Sequence, residues 1–229
     1  MMREIVLDTE TTGLKPEEGH RVVEIGCVEL LNHMPSGRTF HQYINPDRPM
    51  PAEAFAVHGI GDDFLADKPR FPDIADAFRS FVGDATLVIH NAAFDMAFLN
   101  AELAWAGHPR LPSSQALDTL GIARRRFPGA QNSLDALCRR FGVDNSGREK
   151  HGALLDSEIL AEVYLELIGG RQPDFALSLT AEADKGQTIA APVRQRPKPL
   201  PPRLTAAERS AHDAFVETLG DAPLWRGGA

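Results

Sequence analysis

The chain has 229 residues, 43% of them hydrophobic, which is enough for one sizeable core. Its formal net charge is −8, and the acidity is confined to residues 1–170, where 25 Asp and Glu stand against 16 Lys and Arg. This balance excludes a protein that holds nucleic acid mainly through its own basic surface, so action on nucleic acid would need bound cations or a partner. No stretch of about 18 uncharged apolar residues could span a bilayer, and we expect a soluble protein that is not secreted.

The first part of the chain is predicted to be a three-stranded sheet. Apolar alternation and β-branched residues indicate strands at Arg3–Asp8, Val22–Leu31 and Arg38–Asn45. The last two strands are separated by the turn-rich sequence NHMPSG, residues 32–37. Three consecutive strands joined by short connections predict an antiparallel meander.

The next part of the chain alternates helical and strand patterns. A short apolar run at Thr86–His90 is typical of a buried strand, and helical periodicity surrounds it. Three paired strands followed by alternating helix and strand predict an α/β fold, a mixed β-sheet flanked by helices. The predicted helices are Pro72–Val82, residues 92–107 with Gly107 as the stop, Thr119–Phe127, Ser133–Phe141 and Ala153–Ile168.

The chain changes character after the last of these helices. Five prolines and few aromatic or β-branched residues predict that Ser178–Arg203 is an extended, disordered linker. A capping box at Thr205–Glu208 then begins a short C-terminal helix, which is marginal alone in water at this length. Its apolar stripe, which includes Phe215 and Leu219, and the following Trp225 suit a peptide that folds on a partner; the alternative is a frayed tail.

Four acidic residues lie in core-forming sequence rather than on a charged surface. Asp8 and Glu10 follow an apolar run and, being two apart on a strand, share one of its faces. Asp95 and Asp156 each lie in the first turn of a predicted helix. Carboxylates gathered in apolar surroundings require a cation, and hard oxygen ligands suit Mg²⁺ or Mn²⁺. His151, in the loop before Asp156, is suited to general-base work, the alternative being an ordinary exposed histidine.

These residues stand in a series of motifs, LDTETTG, VVEIG, VHGI, VIHNAAFD, NSLDAL and HGALLDSEILAEVYLEL. From Arg3 to about Gly170 the series resembles the DEDD exonucleases of the histidine-bearing subtype, and most of all the family of epsilon proofreading subunits of bacterial DNA polymerase III. The resemblance implies a ribonuclease H-like fold, in agreement with the pattern of elements. It also implies a 3′→5′ exonuclease that removes nucleoside 5′-monophosphates from single-stranded or mispaired DNA ends, in the bacterial cytoplasm at the replisome.

The resemblance assigns roles to individual residues. It makes Asp8, Glu10, Asp95 and Asp156 the ligands of two divalent ions, Mg²⁺ or Mn²⁺, with Asp8 bridging both, and it makes His151 the general base. Asp8, Glu10 and Asp156 would also contact the substrate. The further substrate-binding residues implied by the family are Thr11, Thr12, Gly13, Glu53, His58, His90, Asn91 and Phe94. The last of these could instead belong to the hydrophobic core.

The resemblance extends to the organisation of the whole chain. The implied segments are an exonuclease domain at residues 1–170, a clamp-binding peptide at 171–177, the linker at 178–203 and a polymerase-binding segment at 204–229. A tether of this kind raises the effective concentration of a nuclease at its substrate without a tight DNA interface. The implied partners are the 3′ end of single-stranded DNA, the polymerase alpha subunit, the beta sliding clamp and a small theta-like subunit, with no membrane among them.

Two sets of residues would make the protein contacts. The residues implied for the contact with the sliding clamp are Gln172, Phe175 and Leu177. Those implied for the contact with the polymerase subunit are Phe215, Leu219 and Trp225. The first set resembles a hexapeptide that epsilon subunits use at the clamp but lacks a paired aromatic end, so the implied affinity is modest, and the same sequence could be plain linker.

Two other functions compete with this interpretation. An RNA-processing 3′→5′ exoribonuclease of the same superfamily would use the same site, because the cleavage need not involve the 2′-hydroxyl. The proline-rich linker and the docking helix favour the DNA enzyme, since a free-standing ribonuclease would have little use for them. A non-catalytic tether between clamp and polymerase would have no need of four acids and a histidine.

Overall fold

The computed structural model describes residues 2–148, 150–170 and 204–219. The chain divides into two compact units, residues 1–177 and 178–229, and each is described by itself. The predicted linker and clamp-binding peptide lie outside the described residues, and so do Gln172, Phe175, Leu177 and Trp225. Within the described ranges, no helix is long and apolar enough to cross a membrane.

A five-stranded mixed sheet forms the centre of the first unit. Its strands are β1 (Arg3–Thr11), β2 (Val22–Leu31), β3 (Met34–Tyr43), β4 (Thr86–Ile89) and β5 (Ala116–Asp118). They lie in the order β3-β2-β1-β4-β5. The pairs β1–β2 and β2–β3 are antiparallel, as in the predicted meander, whereas β4 runs parallel to β1 and β5 runs parallel to β4.

Helices cover both faces of this sheet, so the predicted α/β fold is confirmed. Alternate residues of β1 face different helices, as strand geometry requires. Ile5 and Leu7 pack in one core with Phe78 and Phe98, whereas Val6 packs in another. The helices of the first unit are α1 (Ala52–His58), α2 (Asp62–Leu65), α3 (Phe71–Val82), α4 (Ala92–Trp105), α5 (Thr119–Arg126), α6 (Leu134–Phe141) and α7 (Ala153–Leu167). Phe78 belongs to α3 and Phe98 to α4, and the core of Val6 is completed by residues of α7.

The hairpin formed by β2 and β3 differs from the sequence prediction. We expected a turn over residues 32–37, but β3 begins at Met34 and the turn consists of Asn32 and His33 alone. Both turn residues have positive φ angles, 52° and 66°, a combination that two-residue type I′ turns require. Pro35 is tolerated inside β3 because this strand lies at the edge of the sheet.

Among the α-helices and strands of the first unit, three short ones are absent from the sequence prediction, namely α1, α2 and β5. They contain seven, four and three residues, respectively. Periodicity cannot be recognised over so few residues, and tertiary contacts decide whether such segments become regular. The parallel pairing of β5 with β4 is one such contact.

The N-terminus of α7 lies directly on β2. A Cβ atom added to Gly26 of β2 would stand 2.2 Å from backbone atoms of Ala153 and Leu154, so the approach depends on glycine. The Ser157 hydroxyl donates a hydrogen bond to the Gly26 carbonyl (2.9 Å), and the Ala153 N–H donates to the buried Glu24 carboxylate (3.1 Å). A carboxylate at a helix N-terminus is favourable. The first turn of α7 is therefore fixed against the strand next to β1.

The described part of the second unit is built around α8 (Ala206–Glu217). This short C-terminal helix begins with the predicted capping box. The Glu208 N–H donates to the Thr205 hydroxyl (3.3 Å), and the Thr205 N–H donates to the Glu208 carboxylate (2.8 Å). Two of the residues predicted to contact a partner, Phe215 and Leu219, are 62% and 47% exposed.

Candidate active site

The four predicted acids come from three elements that meet at the end of β1. Asp8 and Glu10 lie on β1, Asp95 lies in the first turn of α4, and Asp156 lies in the first turn of α7. Asp8 is half-buried and the other three are buried. Glu10, Asp156 and His151 each offer a ligand atom, and these atoms lie within 4.8 Å of one another. The structure thus brings the predicted acids and the histidine into one pocket.

The pleat of β1 explains how acids from opposite faces of the sheet can meet. Asp8 and Glu10 share the face of Val6, which α7 covers. Thr9 points to the opposite face, where its hydroxyl donates a 2.7 Å hydrogen bond to the Asp95 carboxylate of α4. Asp95 is therefore held in place from β1 itself.

Burial raises the pKa of three of the four acids, and the charges of neighbouring acids add to it at Asp8 and Glu10. Burial raises the pKa of Glu10 from 4.5 to about 8, and the charge of Asp156 adds to the effect. Burial likewise raises the pKa of Asp95 to about 7, although the hydrogen bond from Thr9 acts to lower it. Burial, followed by the charges of Asp95 and Glu10, raises the pKa of Asp8 well above its ordinary value. A cluster of this kind ionises readily only when positive charge is added.

One positive charge of the protein already lies in the pocket. The Arg148 guanidinium, whose side chain is 8% exposed, donates to both carboxylate oxygens of Asp156, from Nε at 2.5 Å and from Nη2 at 2.7 Å. It also donates to Nδ1 of His151 (2.8 Å) and to Asp135 of α6 (2.7 Å). Burial alone would raise the pKa of Asp156, but the neighbouring His151 and Arg148 outweigh it and hold that pKa below its ordinary value.

A cleft of about 460 Å³ opens beside the acids. Its volume lies in the range of small-molecule sites. Nδ1 of His58 accepts a hydrogen bond from the Ile60 N–H (3.0 Å), which fixes the imidazole. The Phe94 ring packs on Phe98 with 5.0 Å between centroids, so Phe94 belongs to both core and cleft. The predicted substrate-binding residues that line this cleft are Glu10, Thr11, Thr12, Gly13, Glu53, His58 and Phe94.

His90 and Asn91 line a different and larger cleft of about 670 Å³. Nδ1 of His90 lies 2.9 Å from the Thr119 hydroxyl, and the Asn91 N–H donates to Asp118 (3.0 Å). The four acids do not line this cleft, so its size does not make it the reactive centre. The other substrate-binding candidates do not line this cleft, although the Phe94 N–H donates to the Asn91 carbonyl (3.0 Å). The remaining walls are formed by Leu120, Arg124, Gly129, Ala130, Asn132 and Ser133.

Sequence reasoning missed Arg148 and the residues that hold it. Arg148 lies three residues before His151, so its presence near the pocket was a visible signal. Nothing in the sequence indicates which carboxylate it contacts. Asp135 resembles an ordinary surface acid of a helix, yet it accepts hydrogen bonds from both Arg148 and Asn145 (3.1 Å).

Known proteins resemble this chain in both sequence and fold. The model of the exonuclease family matches residues 5–164. DNA polymerase III subunit epsilon of Rickettsia prowazekii (strain Madrid E) is 48% identical over 95% of this chain and 97% of the relative. The same subunit of Escherichia coli (strain K12) is 46% identical over 98% of this chain and 97% of the relative. The chain belongs to the epsilon subunit family of exonucleases.

Two solved structures resemble the fold of this epsilon-family chain. Exonuclease X in complex with 5′ overhanging duplex DNA is 28% identical, with a TM-score of 0.56 over 73% of this chain and 91% of its own. The nuclease domain of 3′hExo, a DEDDh family member bound to rAMP, is 21% identical, with a TM-score of 0.64 over 72% and 91%. The ribonuclease H-like fold and the exonuclease family predicted from the motifs are confirmed. The chain is a 3′→5′ exonuclease of a type that uses divalent metal ions.

Proposed function

We propose that this epsilon-family exonuclease removes nucleotides one at a time from single-stranded or mispaired DNA 3′ ends. We further propose that it does so as the proofreading subunit of a bacterial replicative polymerase, in the cytoplasm. The proposal depends on one observation, the cluster at the end of β1 in which Glu10, His151 and Asp156 offer ligand atoms within 4.8 Å of one another and Glu10 also lines the adjacent cleft. The relatives named DNA polymerase III subunit epsilon support the replicative setting.

The donors in the pocket fit two divalent cations. Carboxylate oxygens are hard ligands of the kind that Mg²⁺ and Mn²⁺ prefer. The raised pKa values of Asp8, Glu10 and Asp95 indicate a site short of positive charge. We assign these three residues and Asp156 as the metal ligands. When bound, the ions would supply positive charge to the scissile phosphate and the leaving 3′-oxygen and would acidify a water molecule.

The residues of the chain would orient the substrate and move one proton. His151, whose side chain is 48% exposed in the loop before α7, would accept a proton from the attacking water. The cleft beside the acids would receive the terminal nucleotide, with Glu53 and His58 on one wall and the backbone of residues 11–13 on another. The product would be a nucleoside 5′-monophosphate.

The second cleft completes the proposed path of the strand. It opens beside His90 and Asn91, which directly follow β4, the strand paired with β1. Its wall includes the exposed guanidinium of Arg124, which suits a phosphate group. We propose that nucleotides upstream of the terminal one lie here.

The decisive assay offers the purified chain 5′-labelled single-stranded DNA and the matching RNA, with Mg²⁺ or with EDTA. We expect stepwise shortening of the DNA and release of nucleoside 5′-monophosphates only with Mg²⁺. His151→Ala should lower turnover by about 10²- to 10⁴-fold, because it removes the proton acceptor. His108→Ala, outside the pocket, serves as the matched control and should keep normal turnover.

Each alternative function has its own outcome in this assay. Faster shortening of RNA than of DNA would favour the exoribonuclease. An absence of cleavage under all conditions would favour the non-catalytic tether. Turnover that persists in EDTA would contradict the metal assignment, and normal turnover of His151→Ala would remove that residue as the base.

We also propose that the C-terminal part of the chain docks on other replication proteins. Phe215 lies in the capped helix α8 and Leu219 lies just after it, and both are exposed. This exposure supports a contact with the polymerase alpha subunit, to which Trp225 would also contribute. Gln172, Phe175 and Leu177 would contact the beta sliding clamp, and a theta-like subunit is a further candidate partner.

A chain that ends at residue 203 tests the polymerase contact. It should keep its nuclease turnover and lose binding to the alpha subunit in a pull-down with purified proteins. The full chain is the control. Undiminished binding by the shortened chain would show that the docking residues lie elsewhere.

A further inference from the structure

Arg148 is held at the pocket by several hydrogen bonds, although sequence reasoning assigned it no role there. Its guanidinium makes four hydrogen bonds, two to Asp156, one to His151 and one to Asp135. The side chains of Arg148 and Asp156 are 8% and 3% exposed, so this is a buried, two-point ion pair. Charge-assisted pairs with two parallel hydrogen bonds are among the strongest in proteins.

This ion pair conflicts with the proposed use of Asp156 as a metal ligand. A divalent ion would have to bind one of the two carboxylate oxygens, each of which already accepts a hydrogen bond from the guanidinium. Two cations on one carboxylate also repel each other, and the repulsion is strong because the surroundings are buried. Arg148 occupies Nδ1 of His151 as well, so the same side chain engages a proposed ligand and the proposed base.

We propose that Arg148 is a positioning residue that acts as an internal counter-cation, holding Asp156 and His151 until a divalent ion displaces it from Asp156. The inference rests on the metal-dependent function proposed above. Binding of the ion and departure of the guanidinium are then one coupled event. Only after this event is Nδ1 of His151 released.

A second carboxylate, that of Asp135, could keep the displaced guanidinium paired. Asp135 lies on the outer side, and its side chain is 46% exposed, in contrast to the buried Asp156. Arg148 follows α6 and precedes α7 in the chain and belongs to neither helix. A small shift of the segment between these helices would leave Arg148 paired with Asp135 alone.

Two measurements that do not depend on turnover test this inference. Mn²⁺ affinity is measured by calorimetry, and thermal unfolding is followed in EDTA and in saturating Mn²⁺. Arg148→Ala should bind Mn²⁺ about tenfold more tightly than the parent chain, because the ion no longer competes with a charged hydrogen-bond donor. In EDTA the variant should melt about 5 °C lower, since Asp156 loses its partner, and Mn²⁺ should abolish that deficit.

Three further variants separate competition from a general change of charge. Arg139→Ala removes an exposed cation from α6, the helix that carries Asp135, and should leave Mn²⁺ affinity unchanged. Asp135→Asn removes the outer partner of Arg148 and should weaken Mn²⁺ binding by roughly threefold. The double variant of Arg148→Ala with Asp135→Asn should match Arg148→Ala alone, because Asp135 acts through Arg148.

The outcomes distinguish failure of this inference from failure of the proposed function. If the parent chain binds Mn²⁺ and Arg148→Ala binds it equally or more weakly, Arg148 orients Asp156 alongside the ion and the competition is refuted. Arg148→Lys, which keeps the charge, provides the same comparison should the alanine variant fail to fold; its Mn²⁺ affinity should lie above that of the parent. If the parent chain itself binds no Mn²⁺, both the displacement of Arg148 by a divalent ion and the metal assignment are refuted.

Discussion

Glu10→Gln should slow DNA shortening by several hundredfold and yet, with metal chelated, should raise the melting temperature of the chain at pH 8. The activity falls because an amide is a poorer ligand for a divalent ion, and removing one electrostatic contributor to a reaction costs about 10²- to 10³-fold. The stability rises because Glu10 is a buried carboxylate among other acids. One substitution is expected to lower activity and raise stability where an active site holds like charges close together for its function.

The stability gain has a defined dependence on pH. The pKa of Glu10 rises from 4.5 to about 8 on folding, so below about pH 4.5 the carboxyl is protonated in both states and costs nothing. As pH rises from 4.5 to 8, the unfolded chain ionises first and the parent loses stability. At about 1.4 kcal/mol per pH unit the loss has an upper limit of about 5 kcal/mol. We expect about 2 kcal/mol, or about 5 °C, because the folded pocket relaxes.

Thermal unfolding in EDTA at pH 5, 7 and 8.5 measures this gain. Glu17→Gln is the matched control, because Glu17 is exposed and its substitution should change neither turnover nor melting temperature by a comparable amount. Equal melting temperatures of Glu10→Gln and the parent at pH 8.5 would refute the electrostatic account. Undiminished turnover would remove Glu10 from the metal site.

Gly26→Ala should lose about 3 kcal/mol of stability and at least about a hundredfold in turnover. The new methyl group would overlap backbone atoms of Ala153 and Leu154, which cannot rotate away as a side chain could. Overpacking of this kind costs about 1–3 kcal/mol, and the Ser157 hydrogen bond to Gly26 is lost with it. Displacement of α7 by about 1 Å would move Asp156, and such a misplacement costs about 10²-fold.

Gly152→Ala is the matched control for this prediction. Gly152 lies at the start of the same helix, has a φ of −155°, and has open space where the methyl group would be added. Its substitution should cost about 1 kcal/mol, less than that of Gly26, because alanine is a poorer N-cap residue than glycine but meets no atom here. Denaturant unfolding and steady-state turnover are measured for both variants. Similar stability and turnover of the two would show that α7 does not depend on the close approach at Gly26.

Much of the fold follows from local patterns in the sequence. The apolar runs of β1 and β2 are strong because both sides of these strands are largely buried, and the helical period of α7 is strong because one side of this helix is buried along its whole length. The start of β3 was missed because a two-residue turn at Asn32 and His33 needs only positive φ, not the cluster of turn residues that follows it. The elements α1, α2 and β5 are too short to carry a period.

Some residues of the site can be predicted from local sequence, whereas others are recognised only once the fold brings them together. The acids could be predicted because each stands in a distinctive local sequence at the end of a strand or the start of a helix. Arg148 could not, because its partners Asp156 and Asp135 are fixed by how α6 and α7 pack. The second cleft beside His90 and Asn91 could likewise not be predicted, because folding brings Leu120, Arg124 and Asn132 to its walls.

The order of elements along the chain has a consequence for protein synthesis. The contact between Ser157 and Gly26 joins residues 131 positions apart, and the contact between Thr9 and Asp95 joins residues 86 apart. A ribosome-bound chain that has not yet released α7 lacks Asp156 and the segment that carries His151. Chains that end before α7 therefore lack part of the proposed active site, and we expect no degradation of DNA by a nascent chain until this helix has been synthesised.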